Sequence, residues 1–189
     1  MAAKGKRSEA KSPSTNRALA DKTGRIVRDR RFDRTQSALL DAFRTLLLQA
    51  DYDALSVSDI IAEARIGRST FYEHFQNKDD LLRESMRVVL IPLAEAATGL
   101  PSPQLLFVVR HFGDRSRLAR KLLSDPTRRL IWEYLSKLIE QRLGDKAEGS
   151  LPRALYARQV AAGQLGLLEA WFNLKNVTAE TVAAALTRR

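Results

Sequence analysis

The 189-residue chain has no cysteine and only two histidines, and aromatic residues make up 7% of it. Without cysteine there is no disulfide, no thiolate metal site and no thiol nucleophile, a composition that suits a reducing compartment. His74 and His111 lie far apart in the sequence. No H-E-x-x-H, G-x-S-x-G or glycine-rich phosphate loop occurs, so no nucleophile–base pair can be named. An enzyme is therefore not expected, nor a metal, nor a cofactor. No apolar run approaches the roughly 18 residues of a membrane span, and the N-terminus lacks the apolar stretch of a signal peptide. A soluble, cytoplasmic chain with no membrane partner is expected.

What the chain does have is apolar residues, at 44%, and a formal charge of +10. The charge is uneven. Residues 1–33 hold ten Lys/Arg against four Asp/Glu, residues 34–82 five against eight, and residues 83–189 seventeen against ten. A strongly basic protein suggests a polyanionic partner. The middle segment, however, is acidic.

Apolar spacing predicts an all-α fold. Residues 1–32 lack period and large apolar side chains and read as a flexible basic tail. A first helix is expected from Asp33, whose spacing to Gln36 is that of a capping box, through Leu39, Phe43, Leu46, Leu47 and Ala50. "ADYDA" breaks it. Ser56 with Asp59 caps a short second helix carrying Val57, Ile60, Ile61 and Ala64, and a third carries Phe71 and Phe75. Asn77 with Asp80 opens a fourth through Leu81, Leu82, Met86, Val89 and Leu90, which Pro92 should kink or end. Further helical stretches follow around turn signals at Pro101/Pro103, Gly113/Asp114 and Asp125/Pro126. A loop "GDKAEGSLP", a long helix and a short last one capped by Thr178 complete the chain. The expected division is a tail at 1–32, a three-helix domain at 33–82 and a larger helical domain at 83–189.

The stretch "ARIGRSTFYEHFQNKDDLL" carries the chemistry. On a helix, Phe71 and Phe75 share one face, and Arg68, Ser69, Thr70, Tyr72, Glu73 and His74 cover the rest. A short helix docked by two aromatics, with hydrogen-bonding side chains at its open N-terminal end, suits entry into a DNA major groove. Lys78 sits at the first position of the next helix, where the macrodipole disfavours a cation and a nearby phosphate would reverse that sign. Taken singly, Lys78, Arg68 and His74 also fit solvated surface residues, and Tyr72 fits packing. A helical adaptor without DNA binding is the alternative reading, supported by the acidity of residues 34–82.

In ordered spacing, "SVSDIIAEARIGRSTFYEHFQNKDDLL" resembles the DNA-binding domain of TetR-type (TetR/AcrR) transcriptional regulators over residues 34–82. The resemblance implies a helix-turn-helix of residues 57–64 and 68–75 in a homodimer on a palindromic double-stranded DNA operator, most simply a repressor. It implies phosphate contacts from Ser56, Tyr72 and Lys78 and base readout from Arg68, Ser69 and Thr70, with His74 as a further candidate. Two positions depart from the pattern. Arg65 stands where a glycine is usual, so a non-glycine residue is expected at a turn that needs positive φ. Gly67 stands where a Ser or Thr cap is common.

The C-terminal part resembles the family in layout, which implies a small-molecule effector. Candidate lining residues are Phe107, Phe112, Trp132, Tyr134 and Trp171, although aromatics at helical spacing are equally what a core needs. Residues 153–174 are apolar nearly all round. Tyr156, Val160, Leu167, Trp171 and Leu174 form one face, Ala161, Leu165, Leu168 and Phe172 another, and Ala162, Gly163, Gly166 and Ala170 a small-residue stripe. A helix of this kind must be buried on more than one side. The stripe is the expected dimer interface, with the final helix beside it.

Overall fold

The computed structural model describes residues 15–99, 102–143, 151–174 and 176–187, with side chains described from residue 30 onward. Residues 1–14 of the expected tail, Pro101 and most of the "GDKAEGSLP" loop lie outside the described residues. Among the described residues the chain forms nine α-helices and one 3-10 turn, without a strand. In order they are α1 (Thr15–Gln49), the 3-10 turn (Tyr52–Ala54), α2 (Val57–Ala64), α3 (Arg68–His74) and α4 (Lys78–Ala96). There follow α5 (Pro103–Asp114), α6 (Ser116–Leu122), α7 (Thr127–Arg142), α8 (Arg153–Trp171) and α9 (Ala179–Thr187). No helix among the described residues is long and apolar enough to cross a membrane.

By its internal contacts the chain divides into two units, residues 1–38 and 39–189. In the first, the described part is the N-terminal stretch of α1, with Thr35 Oγ1 donating to the Arg31 carbonyl at 3.0 Å. The helix therefore begins at Thr15 and not at Asp33, and residues 15–32 are helical where a structureless tail is expected. Adding turns to an existing helix avoids the nucleation cost, and the Ala, Arg, Lys and Leu in this stretch are good helix formers that need no apolar stripe.

Residues 39–189 surround one continuous core. Its N-terminal part gathers Leu39, Phe43 and Leu47 of α1, Ile60 of α2, Phe71 of α3, and Leu81 and Leu82 of α4. Further along, α4 packs against α7, α7 against α8, and α5 against α9. The expected division at residues 82 and 83 is not marked by a break in the core, because α4 runs straight through it.

Pro92 does not end α4, which continues to Ala96. Proline removes one N–H from the ladder, leaving the Val88 carbonyl without its helical donor. Val88 is 71% exposed, so that carbonyl lies on the wet side of the helix. The far end is held independently: Leu93, Ala94 and Ala96 are buried, and the buried Gln164 amide on α8 donates to the Leu93 carbonyl at 2.9 Å. On α5, Gly113 lies so close to the Trp171 indole that a Cβ would come within 2.9 Å of it. That indole is fixed by its Nε1–H, which donates to the Val177 carbonyl at 2.8 Å.

Candidate nucleic-acid interface

Two short helices and the turn between them build the site. Ser56 and Asp59 form the expected capping box on α2. Asp59 N–H donates to Ser56 Oγ at 3.2 Å, and Ser56 N–H donates to Asp59 Oδ2 at 2.8 Å. Ser56 Oγ–H also donates to that carboxylate at 2.6 Å. These bonds hold the Asp59 carboxyl below its ordinary pKa, so the box keeps its charge at neutral pH. Two residues beyond the end of the helix, Ile66 N–H closes back onto the Ile61 carbonyl at 3.0 Å. This closure requires a left-handed residue, and Arg65 takes it at φ 53° and ψ 43°. The departure from glycine is therefore a real backbone strain.

α3 starts at Arg68 with Gly67 as its cap, which supplies no side-chain bond, as its sequence implies. Phe71 is fully buried and Phe75 nearly so, their rings 6.0 Å apart. This docking leaves Arg68, Ser69 and Tyr72 exposed, with Thr70 half-buried. Tyr72 is 49% exposed and stands edge-on to Phe71 at 5.3 Å. The Arg68 guanidinium lies 5.7 Å from the Tyr72 ring centre, with Nη2 donating to the phenol oxygen at 3.5 Å. Arg68 and Tyr72 are thus held side by side, one helical turn apart. His74 closes α3, half-buried, and burial lowers its pKa, so it faces any partner as a neutral imidazole.

Lys78 is placed differently from its expected position at a phosphate. Its ammonium donates to the carbonyls of Tyr52 and Leu55, each at 2.9 Å, and lies 4.4 Å from the Tyr52 ring centre. Two of its three N–H donors are engaged inside the unit. The cation that the α4 dipole disfavours is stabilised by the carbonyls of the 3-10 turn. Beside it, the Tyr52 hydroxyl donates to the Asp79 carboxylate, and burial followed by that bond pushes the phenol pKa well up. The α4 terminus is otherwise closed by Asn77 Oδ1, which accepts from Asp80 N–H at 2.9 Å. Sequence reasoning missed the Tyr52–Lys78–Asp79 cluster; its signal was a lysine at a position that the helix dipole penalises.

The five aromatics expected to line an effector pocket are spread out. Phe107 is 68% exposed on the outer side of α5, stacked on His111. Trp132 donates to the Arg158 carbonyl at 3.2 Å and lies under its guanidinium. Tyr134 is half-buried on α7, and Trp171 packs on Gly113 and Phe172. Of the five, Phe112 borders a cavity, a small one between α1, α4, α5 and α6. Trp132, Tyr134 and Trp171 are spent on packing and on backbone hydrogen bonds, and Phe107 lies largely in solvent. The stripe on α8 behaves otherwise. Ala161, Leu165 and Leu168 face the core, whereas Ala162, Gly163 and Ala170 are exposed and Gly166 half-buried. A Cβ added at Gly163 or Gly166 would meet nothing within 4 Å. The stripe borders a concavity of about 350 Å³ lined by Ala96, Val160, Gly163, Leu167 and Leu186.

Residues 39–85 match the family model described as bacterial regulatory proteins, tetR family. Over 76 residues, 40% of the chain and 20% of the relative, the sequence is 37% identical to the uncharacterized HTH-type transcriptional regulator YxbF of Bacillus subtilis. Over 48 residues, 25% of the chain and 26% of the relative, it is 46% identical to the HTH-type dhaKLM operon transcriptional activator DhaS of Lactococcus lactis. The matched stretch thus spans about a quarter or less of these curated relatives. A solved TetR transcriptional regulator from Streptococcus agalactiae is similar in structure, with a TM-score of 0.55 and 25% identity, over 86% of this chain and 96% of that one.

Two variants test this geometry. Arg65→Gly should stabilise the protein by about 0.5–1 kcal/mol, because relief of the left-handed strain exceeds the added freedom of the unfolded chain. A midpoint of urea unfolding lower than that of the parent would contradict it. Lys78→Met should cost about 1–3 kcal/mol, through the two carbonyls left without their donor. If Lys78 instead served a phosphate, its loss would leave unfolding unchanged and flatten the salt dependence of DNA binding.

Proposed function

We propose that this chain, a member of the tetR family of bacterial regulatory proteins, is a cytoplasmic, sequence-specific transcriptional regulator. In this reading it binds a palindromic operator as a homodimer and represses until a small-molecule effector releases it. Residues 33–82 would be the DNA-binding domain, and residues 83–189 would hold the effector and the dimer contact. One observation carries the reading. A strained left-handed turn at Arg65 presents a seven-residue helix whose apolar side is buried through Phe71, while Arg68, Ser69 and Tyr72 are left open.

The chemistry assigns distinct roles along this helix. Arg68 has the fork that pairs with a guanine edge, and the aromatic ring beside it restricts where that fork can point. Ser69 and Thr70 complete the readout end, and Tyr72 and Ser56 are placed for phosphate oxygens, which fix register without reading sequence. Lys78 acts behind them by fastening the 3-10 turn that precedes Ser56. His74, neutral and at the far end, contributes shape more than charge. Since residues 34–82 are acidic overall, attraction to DNA at long range would come from elsewhere, and Arg30 and Arg31 are exposed on α1 just before that segment.

The exposed stripe on α8 supports the dimer. A glycine in a helix interior costs about 1 kcal/mol relative to alanine, so two of them one turn apart call for a packing reason. Within one copy neither has a close neighbour. A second copy of α8 approaching closely at Gly163 and Gly166 supplies that reason, and the two-fold axis of such a contact matches a palindromic operator.

Arg68→Ala should cost about 1–3 kcal/mol of operator affinity at a single base-pair position and leave the salt slope nearly unchanged. Anisotropy titrations against a panel of single-base operator variants read this directly, and an even loss across the panel would remove Arg68 from base readout. Gly166→Arg should leave the fold intact and give a monomer in light scattering with far weaker operator binding. A dimer of unchanged mass would place the interface on another surface.

A further inference from the structure

The small cavity beneath α6 has an uneven chemistry. Its walls are apolar side chains from four helices, among them Leu47 of α1, Met86 and Val89 of α4, Phe112 of α5 and Leu118 of α6. Its polar members are Arg44, Ser85, His111 and Arg115, and among the described residues its lining holds no carboxylate. Arg115 and His111 lie together, Nη1 to Nε2 at 3.4 Å, at the end of α5. Arg44, across the cavity, gives one N–H to Asp41 at 2.8 Å and is about half exposed. Ser85 spends its hydroxyl proton on the Leu82 carbonyl at 2.7 Å. An apolar hole edged by two guanidiniums binds an anionic head group more strongly than a neutral acceptor, and it would repel a cation.

We infer that this cavity binds a small organic anion, a short-chain carboxylate, with its alkyl tail among Leu47, Met86, Val89 and Leu118 and its carboxylate between Arg115 and Arg44. The volume is about 100 Å³, which limits the tail to a few carbons, since water itself occupies about 30 Å³ per molecule. Planar guanidinium forks suit a carboxylate, and charge-assisted hydrogen bonds are the stronger kind. The ligand would also sit where a shift can be felt. On α6, Lys121 donates to the Ala50 carbonyl at 2.6 Å and pairs with Asp51 at 3.2 Å. Those residues lead directly into the 3-10 turn that Lys78 fastens. Displacing α6 to admit a ligand therefore pulls on the segment preceding α2. This regulatory consequence rests on the reading of the chain as a ligand-responsive regulator. The binding does not.

Calorimetry on the full chain without DNA separates the two. Butyrate should bind saturably with one site per chain, and butyramide, of the same shape without the charge, should bind at least about tenfold more weakly. Arg115→Gln, at an exposed position, should cause a similar loss for butyrate while leaving the thermal midpoint unchanged. Ala119→Phe, which fills the cavity, should abolish binding even with both arginines present. Equal affinity for butyrate and butyramide, or an Arg115→Gln variant that binds as the parent does, would overturn the inference. So would the absence of any binding by butyrate. Operator affinity measured separately without butyrate tests the DNA-binding role, whatever the calorimetry gives.

Discussion

Burial of the Phe71 ring is the constraint on which the candidate interface depends. A helix of seven residues has no stability of its own in water, because nucleation costs more than two turns of hydrogen bonds return. α3 lacks a side-chain cap at Gly67, and it follows a residue held in a strained left-handed conformation. Every local term other than packing is therefore weak or adverse. Two phenylalanines one turn apart, one fully buried and the other nearly so, must offset all of them. Burying such a ring is worth roughly 1.5–3 kcal/mol. The consequence for function is direct: a helix fixed only along its apolar edge leaves most of its remaining circumference free to meet another molecule.

The same logic explains why some features were legible in the sequence and others were not. Capping is local chemistry, so the Ser56–Asp59 box, the Asn77 cap on α4 and the Thr178 cap before α9 stand where their spacing places them. The left-handed turn was legible for the same reason, since a turn of that length admits few backbone conformations and Arg65 occupies the position that needs φ above zero. That Ala161, Leu165, Leu168 and Phe172 share one face of α8 followed from period alone, but which face meets the core did not. The start of α1 was not, because a helix that buries no stripe leaves no period to read. The partners of Lys78 were hidden as well: carbonyls of residues 52 and 55 are invisible to side-chain patterns. Aromatics at helical spacing serve a core as readily as a pocket: Phe112 borders a cavity, whereas Trp132 and Trp171 are committed to backbone carbonyls.

Between the 3-10 turn and α6 the connections are polar and few. Lys78 reaches back from α4 to the turn, and Lys121 reaches from α6 to the residues just before it. Both ties are ammonium–carbonyl contacts that a displacement of an ångström would break. Apolar cores resist small deformation because their packing is dense. Long, flexible lysine side chains yield more readily, so the proposed displacement of α6 would be felt first at the turn before α2. Coupling between two sites needs an element with two arrangements that both sites bias. This turn is held by the Lys78 and Lys121 contacts, by the Tyr52–Asp79 hydrogen bond and by the buried Tyr52 ring edge-on to Phe43, and it is the segment through which the proposed ligand site would act.

In the proposed reading, symmetry would supply the remaining requirement. A helix-turn-helix unit that reads three or four base pairs cannot by itself select one site among the many in a genome. Two copies on one rigid axis multiply the discrimination, provided the axis also fixes their spacing to about one turn of DNA. Such an axis needs close, repeatable contact between identical surfaces, which large flexible side chains make poorly. On α8 the exposed face offers the opposite: Ala162, Gly163, Gly166 and Ala170 let two backbones approach. Leu155, which at helical spacing shares this side of α8, is 52% exposed in a single copy. In the proposed dimer a second copy of this face would cover the small-residue stripe and Leu155, which a single copy leaves open.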